Sequence, residues 1–181
     1  MKTYVAFLRG INVAGQKKIK MTDLKNAVRS LGVDNVFTYI QSGNVVFDAE
    51  IKNLDDFTIS IEERLHEIFN EQIKVLLIED VNLEKILQNH PMAFKGENKK
   101  TYYTMLFSSP SKEALESLSK EAYSKEQLSI GNKVIYGFFT NGYGKAKYNN
   151  NYIEKKLKVL ATTRNFNTLN NILLKIKQNQ F

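Results

Sequence analysis

The sequence predicts an α+β chain built from two tandem ferredoxin-like (βαββαβ) subdomains with extra helices. Three observations lead there. Strand-like and helix-like segments between residues 3 and 79 run β-α-β-β-α-β, the split βαβ pattern. The pattern then starts again, with "KTYYTMLF" at residue 100 echoing "KTYVAFLR" at residue 2. Each half also carries a Gly-Asn hairpin signal, Gly43-Asn44 in the first and Gly131-Asn132 in the second. The expected boundaries are 1–90 for the first subdomain with its connecting helix, and 91–181 for the second with a C-terminal helix.

Residues 3–9 (TYVAFLR) read as a strand because they are rich in β-branched and aromatic residues and stop at Gly10. Thr22 can cap a helix in which Leu24, Val28 and Leu31 recur at helical spacing, with Gly32 as its stop. Residues 35–41 and 44–48 are two strands hinged at Ser42-Gly43. Asn53 caps a helix whose Phe57, Ile61, Leu65 and Ile68 form an apolar stripe, and residues 73–79 (IKVLLIE) make the fourth strand. A short helix over 82–89 ends before Pro91, and "MAFKGENKK" is a polar connector.

In the second half residues 100–107 are a strand. Ser109-Pro110 opens a helix, with proline at its favoured first position and Ala114, Leu115, Leu118 and Ala122 on the apolar face. Residues 126–130 and 133–139 form a hairpin. A helix over 150–157, a short strand at 159–163 and a last helix from about Asn167 complete the pattern, with Leu169, Ile172, Leu173 and Ile176 turned inward.

The bulk numbers exclude several classes of function. The chain of 181 residues has no cysteine, which removes disulfides, thiolate nucleophiles and cysteine metal sites and fits a reducing cytosol. No apolar run approaches the roughly 18 residues of a membrane span, and the start turns polar at Arg9, too early for a signal peptide. The expected location is cytoplasmic. His66 and His90 are far apart and Asp55-Asp56 and Glu62-Glu63 fall on helix surfaces, so neither a zinc site nor a Ser-His-Asp triad has a pattern behind it. No metal and no cofactor is called for.

Charge is uneven. Residues 1–90 hold 11 Lys and Arg against 13 Asp and Glu, whereas residues 91–181 hold 15 against 6. Such asymmetry suits a polyanion-binding face, but it suits better lysines that merely solvate amphipathic helices in a chain rich in Lys and Asn. Arginine is rarer and more informative. Arg29 and Arg64 fall on helix surfaces, while Arg9 and Arg164 sit among Gly, Asn and Thr. There a guanidinium can grip a carboxylate or phosphate with two parallel bonds, or pair within the fold.

Topology brings these polar segments together. A right-handed crossover makes the first two strands point the same way, so "RGINVAGQ" and "QSGN" should share one sheet edge. Arg9, Asn12, Gln16, Gln41, Ser42 and Asn44 then form one candidate cluster. At the opposite edge of the second half, where the third and fourth strands end, Gly142, Gly144, Lys145, Lys147, Thr163, Arg164 and Asn165 form another. "GYGKAK" lacks the Ser/Thr that follows Lys in a Walker loop, and "GINVAG" lacks the third glycine of a dinucleotide fingerprint. "TTRN" also reads as a helix entry.

The ordered set "LRGINVAG", "TYIQSGNVVF", "NGYGKAK" and "ATTRNFNT" resembles a bacterial family known as domain of unknown function 1697, from about Lys2 to Ile176. The resemblance implies an α+β fold with two subdomains of ferredoxin-like character. It departs from the family at Ala14, where a glycine is usual, and at Phe166, where a tryptophan is. It implies no substrate, cofactor or catalytic residue, and leaves open whether the chain is an enzyme.

The expected function is binding of a small anionic ligand, a nucleotide or phosphorylated metabolite, at the Gly/Asn/Arg loops. The alternatives are a nucleic-acid-binding module using the basic C-terminal third, and a structural or protein-interaction role. No membrane partner is expected.

Overall fold

The structure is a computed structural model that describes residues 1–12, 17–91, 98–121 and 126–178. The described residues form an α+β fold, with two four-stranded antiparallel sheets and six α-helices among them. The chain divides into two units, one of Met1–Leu83 with Ile172–Phe181 and the other of Glu84–Asn171.

In the first unit the elements are β1 (Lys2–Leu8), α1 (Met21–Arg29), β2 (Asp34–Tyr39), β3 (Asn44–Ala49), α2 (Leu54–Phe69) and β4 (Val75–Glu79), followed by α3 (Asp80–Gln88). The sheet order is β2-β3-β1-β4. Val5 pairs with Val46 and Ile78, so β1 is a central strand. Tyr4, Ala6 and Leu8 face a core shared with Val45 and Phe47 of β3, Leu24 and Val28 of α1, and Ile61 and Leu65 of α2. Each such large side chain contributes about 1.5–3 kcal/mol through burial. Val5, Phe7 and Val46, on the other face, are buried too, which is why β1 reads as a continuous apolar run rather than an alternating one.

Helix ends show where local signals won and lost. Asn53 caps α2 as expected, its side chain accepting from Asp55 N at 3.0 Å and Asp56 N at 3.4 Å. Thr22 does not cap α1. The cap position is Lys20, without a side-chain bond, and Thr22 lies in the first turn. Ile68 departs from the expected stripe and is 48% exposed. The four-residue row 57, 61, 65 continues to Phe69, which packs against the core in its place.

In the second unit a 3₁₀ turn (Asn98–Lys100) precedes β5 (Thr101–Leu106), α4 (Lys112–Ser119), β6 (Glu126–Gly131) and β7 (Val134–Phe139). A second 3₁₀ turn (Tyr143–Lys145), α5 (Asn150–Leu157) and β8 (Ala161–Asn165) follow, and then α6 (Phe166–Lys177), whose residues from Ile172 on belong to the first unit. The sheet order is β6-β7-β5-β8. Leu106, Ile135, Phe139 and Ala161 pack against Leu118 of α4 and Ile153 and Leu157 of α5. Pro110 stands outside α4 because Ser111 is the cap, its hydroxyl accepting from Ala114 N at 3.2 Å. β8 begins two residues later than expected: Lys158, in the left-handed region, ends α5, and the Glu154 carboxylate takes the Ala161 amide at 2.8 Å. Leu169, Ile172 and Ile176 of α6 are buried. Ala122 lies outside the described residues.

Two topological consequences matter for function. β1 and β2 are both antiparallel to β3, so the end of β1 and the β2–β3 turn fall on one edge. β7 and β8 are both antiparallel to β5, so their ends share an edge of the second sheet.

Candidate functional site

At the first unit's edge the two polar loops lie side by side. Leu8 N donates to Gly43 O at 2.8 Å, and Arg9 N to Lys74 O at 2.9 Å. Asn12 joins the loops. Its Nδ2 donates to Ile19 O at 3.0 Å and to Gln41 O at 2.8 Å, while its Oδ1 accepts from Ile19 N at 2.9 Å. Both amide hydrogens are therefore engaged by the backbone, at a residue whose φ of 53° suits asparagine. Asn44, fully buried, does similar work inside the hairpin: its Nδ2 donates to Tyr39 O and to Ser42 Oγ, both at 2.9 Å. Gly43 has φ +72°, and a Cβ there would stand 2.7 Å from Ile11 Cδ1 and 2.9 Å from Leu8 Cβ, so only glycine lets the turn close on β1. Arg9 is half-buried and Gln41 exposed. Gln16, the remaining candidate of this cluster, lies outside the described residues.

The second edge is also a hydrogen-bonded network. The Thr163 hydroxyl donates to Asn150 Oδ1 at 2.9 Å, so in its 2.9 Å contact with Thr104 it is the acceptor. Asn150 N donates to the Tyr143 hydroxyl at 2.8 Å, and the Tyr143 ring stacks on Tyr102 with centroids 4.7 Å apart. Burial pushes the Tyr143 hydroxyl above its ordinary pKa. Arg164 is only 9% exposed, and its Nη1 donates to Thr162 Oγ1 at 2.8 Å and Thr163 O at 2.9 Å. Burial draws the guanidinium down to about 10, with the neighbouring Tyr143 acting the other way, so it remains a cation at neutral pH. Asn165 Oδ1 accepts from Thr168 N at 2.8 Å and caps α6, the helix-entry reading of "TTRN". Lys145, in the 3₁₀ turn, is exposed and forms no ion pair among the described residues. Gly142 and Gly144 have open space where a Cβ would stand.

A further group escaped the sequence reading. Glu121, just beyond α4, receives Lys156 Nζ at 2.6 Å and the Tyr152 hydroxyl at 2.6 Å, with Lys147 Nζ at 3.6 Å. Glu126 is buried, and its two oxygens accept from Lys147 N at 2.6 Å and Tyr148 N at 2.9 Å. No local spacing signals these contacts, since the partners stand 21 to 35 residues apart. Among the described residues no group of three or more His, Asp or Glu side chains is placed to hold a metal ion. No helix among them is long and apolar enough to cross a membrane.

The family model for a protein of unknown function (DUF1697) matches residues 1–136. The chain belongs to this family. The match takes in the first sheet, its polar edge and the second unit through the first half of β7; "NGYGKAK" and "ATTRNFNT" lie beyond it. The chain is also similar to the solved structure of the conserved bacterial protein SP0830 from Streptococcus pneumoniae. That likeness has a TM-score of 0.78 and 23% sequence identity, covers 98% of this chain and 99% of the other, and establishes the fold. No curated protein matches the chain.

Proposed function

We propose that this DUF1697 chain binds a small anionic ligand, a nucleotide or a phosphorylated metabolite, at the Gly142–Lys145 turn of its second unit. The observation that carries the reading is an exposed lysine on an open glycine turn, backed by a fixed polar network. Tyr143, inside the turn, is anchored through Asn150 to Thr163 and Thr104. Lys145 therefore projects from a positioned backbone, at little ordering cost on binding. The charge distribution agrees: Glu84–Asn171 holds 14 Lys and Arg against 7 Asp and Glu, whereas the first unit holds 12 of each. Arg164 adds a buried positive charge behind the turn, and Thr163 and Asn165 hold the strand end that carries it. Arg9 and Gln41 offer a lesser candidate at the first unit's edge, because Asn12, Ser42 and Asn44 there serve the loop itself. The strand orders β2-β3-β1-β4 and β6-β7-β5-β8 support reading the units as a repeated ferredoxin-like motif, in which loop edges are free to vary.

The test is a thermal-shift panel of nucleotides, pyrophosphate and sugar phosphates on the wild type and Lys145→Ala. A ligand at about 100 times its Kd adds about 2.7 kcal/mol, which at about 2–4 °C per kcal/mol for a chain of this size raises Tm by about 5–11 °C. Lys145→Ala should reduce that rise while leaving the unliganded Tm unchanged. A panel in which nothing moves Tm overturns the reading.

The basic second unit favours one other reading, binding of a nucleic acid through Lys145, Lys155 and Lys158, all exposed. Affinity for single- or double-stranded probes would then fall steeply with salt, and each lysine removed would flatten the slope by about one unit.

A further inference from the structure

We propose that Lys147, Tyr152 and Lys156 form a second oxyanion-binding cradle, in which the Glu121 carboxylate sits as an intramolecular stand-in for a ligand's phosphate or carboxylate. The inference is independent of the Gly142–Lys145 reading, since it uses none of that turn's side chains.

Two ammonium groups and a hydroxyl converge on one carboxylate. Lys156 Nζ and the Tyr152 hydroxyl each lie 2.6 Å from a Glu121 oxygen, and Lys147 Nζ 3.6 Å. That donor set, two charged N–H groups and one O–H around a bound oxyanion, is the one expected for a phosphate or carboxylate ligand. Much of it is placed by contacts other than Glu121. Lys147 Nζ stands 4.9 Å from the Tyr148 ring centroid and 5.7 Å from that of Tyr152, and these rings meet edge to face at 5.4 Å. The Lys147 and Tyr148 amides are fixed by Glu126. Tyr152 and Lys156 are four residues apart on α5 and so share a face. Two like charges gathered by the fold repel each other unless an anion lies between them.

Glu121 stands outside this frame. It follows the last residue of α4 by two positions and belongs to neither α5 nor the sheet. Glu121 also lines a hollow of about 210 Å³ with Leu118, Ser119, Glu126, Leu128 and Tyr148, so on the side away from the two lysines it borders space rather than packed protein. The hydrogen bond from Lys156 and that from Tyr152 hold the Glu121 carboxyl below the usual carboxylate range, and the same bond pushes the Tyr152 hydroxyl up to about 12. Both effects favour a filled, ionic cradle. Glu126, facing the same hollow, is negative, so the cradle should favour a compact group with one charged end over a polyanion.

The experiment is titration of wild type and Glu121→Gln with inorganic phosphate and, separately, acetate, followed by calorimetry. Removing the resident charge while keeping the side chain's shape should raise affinity for at least one probe tenfold or more. Adding Lys147→Ala and Lys156→Ala to Glu121→Gln should abolish the gain. An unchanged affinity in Glu121→Gln, or a gain that survives loss of both lysines, overturns the proposal. NMR on the wild-type protein provides a measurement that needs no variant. Saturating phosphate or acetate should move the Lys147 and Lys156 side-chain resonances and leave those of Lys112, on α4, in place. Equal movement of all three overturns the cradle as well. A wild type that ignores nucleotides while Glu121→Gln gains phosphate or acetate binding would refute the turn and retain the cradle; the converse would refute only the cradle.

Discussion

Asn12 offers a direct test of whether the first polar loop serves the fold. Asn12→Ala removes the two bonds donated by Nδ2, to Ile19 O and Gln41 O, and the one accepted by Oδ1 from Ile19 N. For a half-buried residue these are worth about 2 kcal/mol together, taking each near the lower part of the usual 0.5–1.5 kcal/mol range. The φ of 53° adds about 1 kcal/mol for alanine, which tolerates the left-handed region less well than asparagine. The expected loss is then about 3 kcal/mol, or roughly 6–12 °C in Tm at about 2–4 °C per kcal/mol. Asn12→Gly loses the same bonds without the backbone strain, so it should fall short of that by about 1 kcal/mol. Asn12→Asp keeps the acceptor for Ile19 N but turns a carboxylate towards two carbonyl oxygens, and should be at least as damaging as alanine. Thermal and urea denaturation measure all three, and hydrogen exchange should lose protection at the Ile19 amide. A Tm within about 1 °C of wild type for Asn12→Ala, with Ile19 still protected, would refute the assignment of this side chain to the loop.

Two more outcomes follow from the geometry. Gly43→Ala places a methyl against Ile11 and Leu8 at a positive φ, and should cost about 2–4 kcal/mol from the left-handed backbone and overpacking together; an unchanged urea midpoint would contradict the tight closure of the β2–β3 turn on β1. The depressed Glu121 carboxyl contributes stability above the ordinary carboxyl pKa, and that contribution is lost as pH falls through its folded value. The Tm difference between wild type and Glu121→Gln should therefore persist from pH 7 to 5 and shrink below about 4; a difference constant down to pH 3 would show that the charge of Glu121 is not what matters.

Much of the fold was legible because it depends on local period and punctuation. Asn53 announced α2 by its capping chemistry, and the helix expected over 150–157 is α5. The β2–β3 and β6–β7 hairpins were marked by their Gly-Asn steps. Errors arose where two local signals competed: Ser111 displaced Pro110 from α4, and the four-residue row of α2 chose Phe69 over Ile68. The polar edges were partly legible as well, because strand direction alone puts "RGIN" beside "QSGN". Which atoms meet there was not. Asn12, Asn44 and Asn165 carry the composition of a binding loop, yet each is engaged by backbone groups.

The sequence by itself determined the succession of strands and helices, the hairpin turns, the inward faces, and the concentration of positive charge in the second half. These follow from side-chain size, backbone freedom and hydrophobic period, all of which act over a few residues. Tertiary structure alone decided that Arg164 is buried among threonines and that Lys145 stands clear. It also decided that Glu121 meets Tyr152 and Lys156, 31 and 35 residues further on. Such pairings depend on how helices dock on a sheet, and a side chain's own sequence neighbours carry no record of the partner that docking brings to it.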